Sequence, residues 1–181
     1  MKSKNINHGI DFYMHDDVSI RCLDTAQFGN HVAIDKGFYC TTELSVGSYV
    51  HIGPYVSIIG SPQSKMIMQD FSFISVGTKV IAGSDDYSAS CLMGPLVPKK
   101  YKTLILTTIK FEKYSGCGAS CTILPGVTLA EGSVVCAGSL VNKSTKPWTI
   151  YAGNPARPIG TRDSEKVRLQ EKYILEENNE K

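Results

Sequence analysis

Apolar residues recur at every sixth position along most of this 181-residue chain. The repeat runs in three blocks: Phe28, Ile34, Cys40, Val46, Ile52 and Ile58; then Met68, Ile74 and Val80; then Phe111, Cys117, Ile123, Leu129, Val135 and Val141. A spacing of six matches neither an α-helix nor a β-strand, whose side chains repeat about every 3.6 and 2 residues. It fits a chain that turns a corner every six residues, so that these side chains fill a narrow central core.

Glycine and small residues keep the same register. Glycine often follows the apolar residue directly, as at Gly29, Gly47, Gly53 and Gly118, and we expect it to serve the turn. Three six-residue segments then close one triangular coil, and successive coils stack into a prism. A β-sandwich also has short strands and glycine turns, but fifteen apolar positions in register favour an all-β solenoid.

The register breaks twice. Four residues are added between Ile58 and Met68, and a much longer insertion separates Val80 from Phe111. A solenoid accepts an insertion as a loop that leaves the prism at a corner. Both insertions are therefore predicted to lie outside the stacked coils.

The longer insertion contains the segment AGSDDYSASCLMGPLVPKKYK, residues 82–102, which has no periodicity. Gly94, Pro95 and Pro98 argue against a helix, so we expect an external loop at about residues 85–108. Long loops on rigid scaffolds are commonly functional. The lysines of its last segment, KKYK, are interpreted as a solvated cluster.

The repeat ends after Val141. A passage rich in proline and glycine follows, and the segment DSEKVRLQEKYILEE predicts one helix from Asp163 to Glu177, with Ser164 as its N-cap. We interpret this helix as a cap on the last coil, with Trp148 between prism and cap. The predicted division is a β-helix domain over residues 1–160 and a C-terminal helix over 161–181.

The composition excludes several functional classes. A net charge of +2 and a pI near 8.2 do not favour a nucleic-acid or membrane-surface protein. The first residues contain no apolar stretch of the kind found in secretion signals, so we expect a cytoplasmic protein. The six cysteines form no CxxC pair, so free thiols are expected and no metal site is predicted.

Two C-terminal segments carry a family likeness. YAGNPARPIG and GCGASCTILPGVTLAEGSVVCAGSLV resemble the left-handed β-helix acyltransferases, also called hexapeptide-repeat transferases. VHIGPYVSIIG, DFSFISVGTKV and SDDYS resemble the branch that acylates nucleotide-linked amino sugars or sugars of surface polysaccharides. The resemblance implies a left-handed parallel β-helix with one long external loop and a C-terminal α-helix. It also implies an acyl-CoA donor, commonly acetyl-CoA, and homotrimers with active sites in the grooves between neighbouring prisms.

The resemblance also assigns coenzyme A contacts. It places Ala119 and Ala137 against the pantetheine, Asn142 and Lys143 near the outer arm and phosphates, and Arg157 near the nucleotide end. These residue types suit the ligand, since small residues let it approach the backbone and cations attract phosphates. Tight packing between coils is the alternative explanation for the two alanines.

The catalytic residues depart from the family pattern. Many relatives carry a histidine in or beside the external loop, but the histidines here all lie between positions 8 and 51. We expect Asp85, at the root of the loop, to act as the base or to orient an amine, because a carboxylate binds an ammonium well. The resemblance makes Ser75 its helper, and His51 is a second candidate base. Asp86 is interpreted as a turn residue.

These assignments favour an N-acyltransferase that acts on a nucleotide-linked amino sugar. An O-acetyltransferase of a sugar or polysaccharide is the alternative, and it requires His51, since a hydroxyl needs a base to become a nucleophile. A zinc enzyme of the carbonic anhydrase kind is disfavoured because no histidine follows His51. A non-catalytic scaffold remains a fourth interpretation.

Overall fold

The computed structural model describes residues 6–179 of the chain, so the outer limits of the two predicted domains, residues 1 and 181, lie outside the described residues. The long insertion between Val80 and Phe111 forms the external loop, which we call the arm and which spans residues 83–106. The strands before the arm are Asn7–His8 (β1), Phe12–Met14 (β2), Ser19–Ile20 (β3), Gln27–Phe28 (β4), Val32–Ile34 (β5), Tyr39–Cys40 (β6), Glu43–Val46 (β7), Val50–Ile52 (β8), Ser57–Ile59 (β9), Lys65–Met68 (β10), Phe73–Ile74 (β11) and Lys79–Ile81 (β12). The arm contributes Gly83–Asp85 (β13) and Leu104–Leu106 (β14).

The remaining strands are Thr108–Phe111 (β15), Gly116–Cys117 (β16), Thr122–Ile123 (β17), Thr128–Leu129 (β18), Val134–Val135 (β19), Leu140–Val141 (β20), Thr149–Ala152 (β21) and Arg157–Thr161 (β22). One α-helix, Ser164–Asn179 (α1), follows them, and short 3-10 helices cover Leu23–Thr25 and Lys99–Tyr101. Among these described elements, no helix is long and apolar enough to cross a membrane.

The strands stack as the faces of a three-sided prism. Sheet one contains β1, β4, β7, β10, β15 and β18; sheet two contains β2, β5, β8, β11, β16, β19, β21 and β22; sheet three contains β3, β6, β9, β12, β17 and β20. Each strand of the repeat pairs in parallel with the strand one coil away, so that Val32 of β5 lies opposite Val50 of β8. The predicted parallel β-solenoid is confirmed.

The six-residue repeat forms the core. All fifteen apolar residues of the repeat are buried, and Ile52, Ile74 and Phe111 are among the fully buried ones. Burying one such side chain contributes roughly 1.5–3 kcal/mol relative to leaving it in water. The same residues therefore set both the register of the coils and much of their stability.

The glycines of the repeat have a different role from the predicted one. The left-handed backbone conformation falls three residues after the buried residue, for example at His31 and Tyr49. A Cβ at Gly29 would lie 2.6 Å from the backbone of Gly47, and one at Gly118 would lie 2.7 Å from the nitrogen of Ala137. Glycine is needed because neighbouring coils approach closely, not because the turn requires its conformational freedom.

Aromatic rings fill the corner between sheets one and two. The ring of Tyr49 stacks on His31 at 4.5 Å and on Phe71 at 4.6 Å, and the series continues to Tyr114 and Trp148 at 5.8 and 5.7 Å. We call these five residues the aromatic column. Pairs of aromatic rings at such distances contribute about 0.5–1.5 kcal/mol beyond the area they bury. The column therefore ties successive coils together along one edge of the prism.

Helix α1 docks against this column through charged groups. The Nζ of Lys113 lies 2.6 Å from Oε1 of Glu171, and the hydroxyl of Tyr114 donates a hydrogen bond to the same carboxylate. The guanidinium of Arg168 lies over the ring of Trp148, which confirms that Trp148 lies between prism and helix. Val167 is half-buried and lines a pocket with Phe71 and Tyr114, whereas Leu169 remains about half exposed and points away from this contact.

The N-cap of α1 is Asp163 and not Ser164. Oδ1 of Asp163 accepts a hydrogen bond from the backbone N–H of Lys166 at 3.0 Å, while Ser164 is already the first helical residue. An aspartate at this position satisfies a free N–H of the first turn and also favours the positive end of the helix dipole. The carboxylate of Asp163 is therefore the N-cap group of α1, in place of the predicted hydroxyl of Ser164.

Candidate active site

The arm leaves the prism at the corner between sheets three and one. Strand β13 runs on from the third sheet and pairs antiparallel with β14, with Gly83 opposite Leu106 and Asp85 opposite Leu104. This two-stranded ladder fixes the root of the arm, which the loss of the six-residue period had predicted only as a loop. Asp85 is thereby held at the last pair of the ladder, where the chain opens into the arm.

One oxygen of the Asp85 carboxylate accepts a hydrogen bond within the arm, and the other accepts none. Its Oδ2 accepts a hydrogen bond from the backbone N–H of Gly94 at 2.8 Å. Its Oδ1 is buried and has no hydrogen-bond partner, although the Nζ of Lys102 lies 3.9 Å away. A buried carboxylate oxygen is costly when it accepts no hydrogen bond, so this atom is suited to receive a donor from a ligand.

Asp86 behaves as the predicted turn residue. Its Oδ1 accepts hydrogen bonds from the hydroxyl of Ser88 at 2.6 Å and from the N–H of the same residue at 2.9 Å. These bonds lower the pKa of Asp86. The hydrogen bonds of this carboxylate are therefore made within its own turn, to Ser88.

A cleft of about 870 Å³ lies between the arm and the corner of the prism. Asp85 lines it together with three cations, Arg21, Lys99 and Lys102. Leu104 and Leu106 supply apolar wall, and Ser61 and Gln63 supply polar groups. The cleft thus combines positive charge, which suits phosphates, with one carboxylate, which suits an amine.

Ser75 and His51 belong to a different part of the surface. His51 lies on β8 of the second sheet, and Ser75 follows β11 at the corner between sheets two and three. The side chain of His51 is 55% exposed, and its Nε2 lies 2.8 Å from Oδ2 of Asp35. A single chain therefore does not bring either residue beside Asp85.

The structure does bring Ser75 close to two predicted coenzyme A contacts. The N–H of Ser75 donates to the carbonyl of Cys117 in the next coil, and the N–H of Gly138 donates to the carbonyl of Ala119 in the coil after that. Ala119 and Ala137 consequently follow Ser75 down the same corner. Ala119 is half-buried and Ala137 is exposed.

The other predicted coenzyme A contacts lie near the C-terminal end of the prism. Asn142 and Lys143 are exposed and follow β20 at the corner where the third sheet ends. Arg157 is exposed on β22, where its guanidinium donates to the carbonyl of Ala156 at 3.0 Å. All three side chains are accessible, and their roles remain predictions.

Three residues of this region were not assigned to the site from the sequence. Asp35 contacts His51 from the coil above, and Gly94 contacts Asp85 from within the arm. Lys102 was interpreted as solvated, but its side chain is only 8% exposed. Nothing in the segment KKYK distinguishes this lysine from its exposed neighbours, so the signal appears only in the folded arm.

No site for a metal is formed by the part of the chain that the structure describes, residues 6–179, since no group of three or more His, Cys, Asp or Glu side chains converges there. The six cysteines are free thiols. What the arrangement offers chemically is a carboxylate with a free oxygen, a cationic cleft and a row of small residues along a neighbouring corner.

A parallel solenoid of six-residue segments, interrupted by one external arm with an acid at its root, is typical of the hexapeptide-repeat acyltransferases. No protein-family model matches the chain. The chain is 29% identical over 167 residues to the dTDP-4-amino-4,6-dideoxy-D-glucose acyltransferase of Escherichia coli, and the alignment covers 90% of this chain and 85% of that protein. AntD, an N-acyltransferase from Bacillus cereus solved with dTDP and 3-hydroxybutyryl-CoA, is 32% identical with a TM-score of 0.87 and covers 96% of this chain and 92% of AntD.

This chain belongs to the family of hexapeptide-repeat N-acyltransferases that contains AntD, and it is an acyltransferase. A variant of AntD in which one serine is replaced by cysteine, solved with dTDP-4-amino-4,6-dideoxyglucose and coenzyme A, superimposes with a TM-score of 0.88. Another AntD variant has one aspartate replaced by asparagine. The two altered residues are ten positions apart in AntD, the same spacing that separates Ser75 from Asp85.

Proposed function

We propose that this chain transfers an acyl group from acyl-CoA to the amino group of a nucleotide-linked amino-deoxy sugar. The observation that carries the proposal is the carboxylate of Asp85, whose Oδ1 is buried, free of hydrogen bonds and part of the wall of the cleft. The spacing of Ser75 and Asp85, which matches that of the two altered residues in AntD, supports the same assignment.

The chemistry of an amine fits a site without a loop histidine. A sugar amine arrives largely as an ammonium ion, and Oδ1 of Asp85 can accept one of its N–H groups. Once the ammonium has given one proton to bulk water, the neutral nitrogen attacks the thioester carbonyl, the C–N bond forms, and the C–S bond breaks to release coenzyme A as its thiolate. The second amine proton passes to Asp85 or to the leaving sulfur. Positioning and one proton acceptor are sufficient for this reaction.

The donor is assigned to the corner that begins at Ser75. In this proposal the pantetheine lies along Ala119 and Ala137, with Asn142 and Lys143 near the phosphates and Arg157 near the nucleotide. The small side chains of Ala119 and Ala137 allow a ligand to approach the corner closely, and Lys143 and Arg157 are exposed. We take acetyl-CoA as the first donor to test and 3-hydroxybutyryl-CoA as the second, since AntD was solved with the latter.

The complete site is proposed to form between two subunits of a homotrimer. Asp85 lies at the corner between sheets three and one, whereas Ser75 and the alanines lie at the corner between sheets two and three. A neighbouring prism can place the second corner opposite the first, so that acceptor and donor meet in the groove. In this arrangement the arm of one subunit closes a groove that one prism face alone leaves open.

The deciding experiment follows coenzyme A release with a panel of acceptors. The panel contains dTDP-4-amino-4,6-dideoxyglucose, a nucleotide-linked 3-amino sugar and the corresponding hydroxyl sugars, each with both donors. We expect turnover with an amino sugar and none with the hydroxyl sugars. Turnover confined to hydroxyl sugars would overturn the proposal.

A second candidate function is O-acetylation of a sugar or polysaccharide. The pair His51–Asp35 favours it, because a carboxylate 2.8 Å from Nε2 fixes the imidazole and leaves Nδ1 available as a base. Either acyltransfer reaction is proposed to serve surface polysaccharide biosynthesis, as the resemblance of the N-terminal coils implies.

A further inference from the structure

We propose that Lys102 is a positioning residue that holds Asp85 in place through Gly94 and keeps its free oxygen directed at the acceptor amine. The proposal rests on the proposed function, in which Asp85 binds that amine. It concerns three residues that are separated along the arm in sequence and meet at one point: Asp85 at its root, Gly94 near its middle and Lys102 where the chain returns.

The contacts of Gly94 carry the inference. Its N–H donates to Oδ2 of Asp85 at 2.8 Å, and its carbonyl accepts from the Nζ of Lys102, also at 2.8 Å. Both polar groups of this one peptide residue are therefore occupied by the two charged side chains. Gly94 has a φ of +112°, a conformation that glycine adopts without strain and other residues rarely adopt. The three residues form a closed clasp across the arm.

Burial shows that the lysine is part of this clasp. The side chain of Lys102 is 8% exposed and that of Asp85 is 18% exposed. An ammonium group is rarely buried without a partner, and the partner here is the carbonyl of Gly94, with the carboxylate at 3.9 Å. Lys102 thus supplies charge beside Asp85 without occupying Oδ1, which stays open for a substrate N–H.

The charge of Lys102 has a chemical consequence for the acceptor. A positive charge next to the binding oxygen repels an ammonium, so it makes binding of a neutral amine more favourable relative to binding of the ammonium. The neutral amine is the nucleophile. Arg21 and Lys99 line the same cleft and add to this effect, whereas Asp86 is satisfied by Ser88.

The test compares Lys102→Met with Lys102→Arg and with Lys100→Met. Lys100 lies on the same arm, is exposed and contacts the ring of Tyr101, so its replacement removes the same charge away from the clasp. Two quantities are measured: the hydrogen-exchange rate of the Gly94 amide in the free protein, and kcat/KM for the amino sugar, resolved into kcat and KM.

We expect Lys102→Met to raise the exchange rate of the Gly94 amide by about tenfold or more. We expect kcat/KM for the amino sugar to fall by about tenfold or more, with most of the loss in kcat, because a carboxylate that is no longer held by Gly94 does not direct its free oxygen at the acceptor amine. Lys102→Arg should largely restore both quantities, and Lys100→Met should match the wild type. Gly94→Ala, which strains the same contact from the other side, should also increase exchange at residue 94.

Equal behaviour of Lys102→Met and Lys100→Met would overturn the proposal. Faster exchange with kcat and KM unchanged would also overturn it, because Lys102 would then be merely structural. If the wild-type protein acylates no amino sugar, the proposed function fails by itself. Exchange at Gly94 that depends on Lys102 would still support the positioning of Asp85 in that case.

Discussion

Two adjacent aspartates at the root of the arm have opposite environments. The carboxylate of Asp86 accepts hydrogen bonds from the hydroxyl and N–H of Ser88, whereas the side chain of Asp85 is largely buried and keeps one oxygen without a donor. A neighbour in sequence thus provides a matched control for the function of Asp85, because both substitutions remove one negative charge from the same loop.

We expect Asp85→Asn to lower kcat/KM for the amino sugar by about 100-fold or more, the usual contribution of a group that accepts a proton from a reacting atom. Asp86→Asn should leave kcat/KM within about threefold of the wild type, as expected for a group away from the reacting atoms. The measurement is coenzyme A release at saturating donor. Equal losses in the two variants would assign both residues to loop structure.

His51 separates the two candidate reactions at the same scale. N-acylation by Asp85 predicts that His51→Asn retains most of the activity toward an amino sugar, because the imidazole does not touch the cleft. O-acylation predicts a loss of about 100-fold or more with a hydroxyl sugar, since a base is then required. Steady-state rates with both acceptors decide between them.

At the scale of elements, the sequence predicts the coils well and the arm only in outline. Ile52 and Ile74 are buried as expected, because a six-residue period leaves one inward position per face. The arm has no period, so its ladder and the contact between Gly94 and Lys102 depend on residues far apart in sequence. For the same reason, the separation of Ser75 from Asp85 by a whole prism face is not visible in their ten-residue spacing.

The docking of α1 depends on one carboxylate and therefore on pH. Partial burial opposes ionisation of Glu171, but hydrogen bonds from Lys113 and Tyr114 outweigh this effect and lower its pKa. A lowered pKa in the folded state means that the stabilisation is present above the ordinary value of 4.5 and is lost as the pH falls through the folded value.

We expect helix docking to weaken progressively below about pH 4.5 in the wild type, and Glu171→Gln to show the weaker docking already at pH 7. The effect should stay below about 1 kcal/mol, because the Lys113 partner of this ion pair is more than a third exposed and water screens the pair. Trp148 is the single tryptophan and lies beside α1, so its fluorescence reports docking. A pH response that survives in Glu171→Gln would assign it to another group.

At the scale of the whole molecule, stability comes from the stacked core. Ile74→Ala should destabilise the protein by about 2–5 kcal/mol, because the cavity is enclosed by coils above and below. Val76→Ala is the control, since this side chain is 44% exposed two residues away, and it should change stability by about 0.5 kcal/mol or less. Denaturant unfolding measures both. Similar losses in the two variants would contradict the role of the six-residue register.

A site shared between subunits predicts complementation. Asp85→Asn and Ser75→Ala proteins, unfolded together in equal amounts and refolded, should form mixed trimers in which about a quarter of the sites combine an intact Asp85 with an intact Ser75. Activity should then rise to about a quarter of the wild-type value, well above the mean of the separate variants. Sedimentation checks the trimer itself. Activity that stays at that mean would place both residues in one subunit's site.

The ladder between β13 and β14 makes the arm structurally separate from the stacked coils. Since Gly83 and Leu106 face each other, the chain leaves and re-enters the prism at nearly one point, and the buried register resumes at Phe111. We therefore expect deletions or exchanges confined to this interval to leave the stacked coils unchanged. In such a molecule the acceptor range can diversify through recombination of one short gene segment, while the donor side and the scaffold are inherited intact.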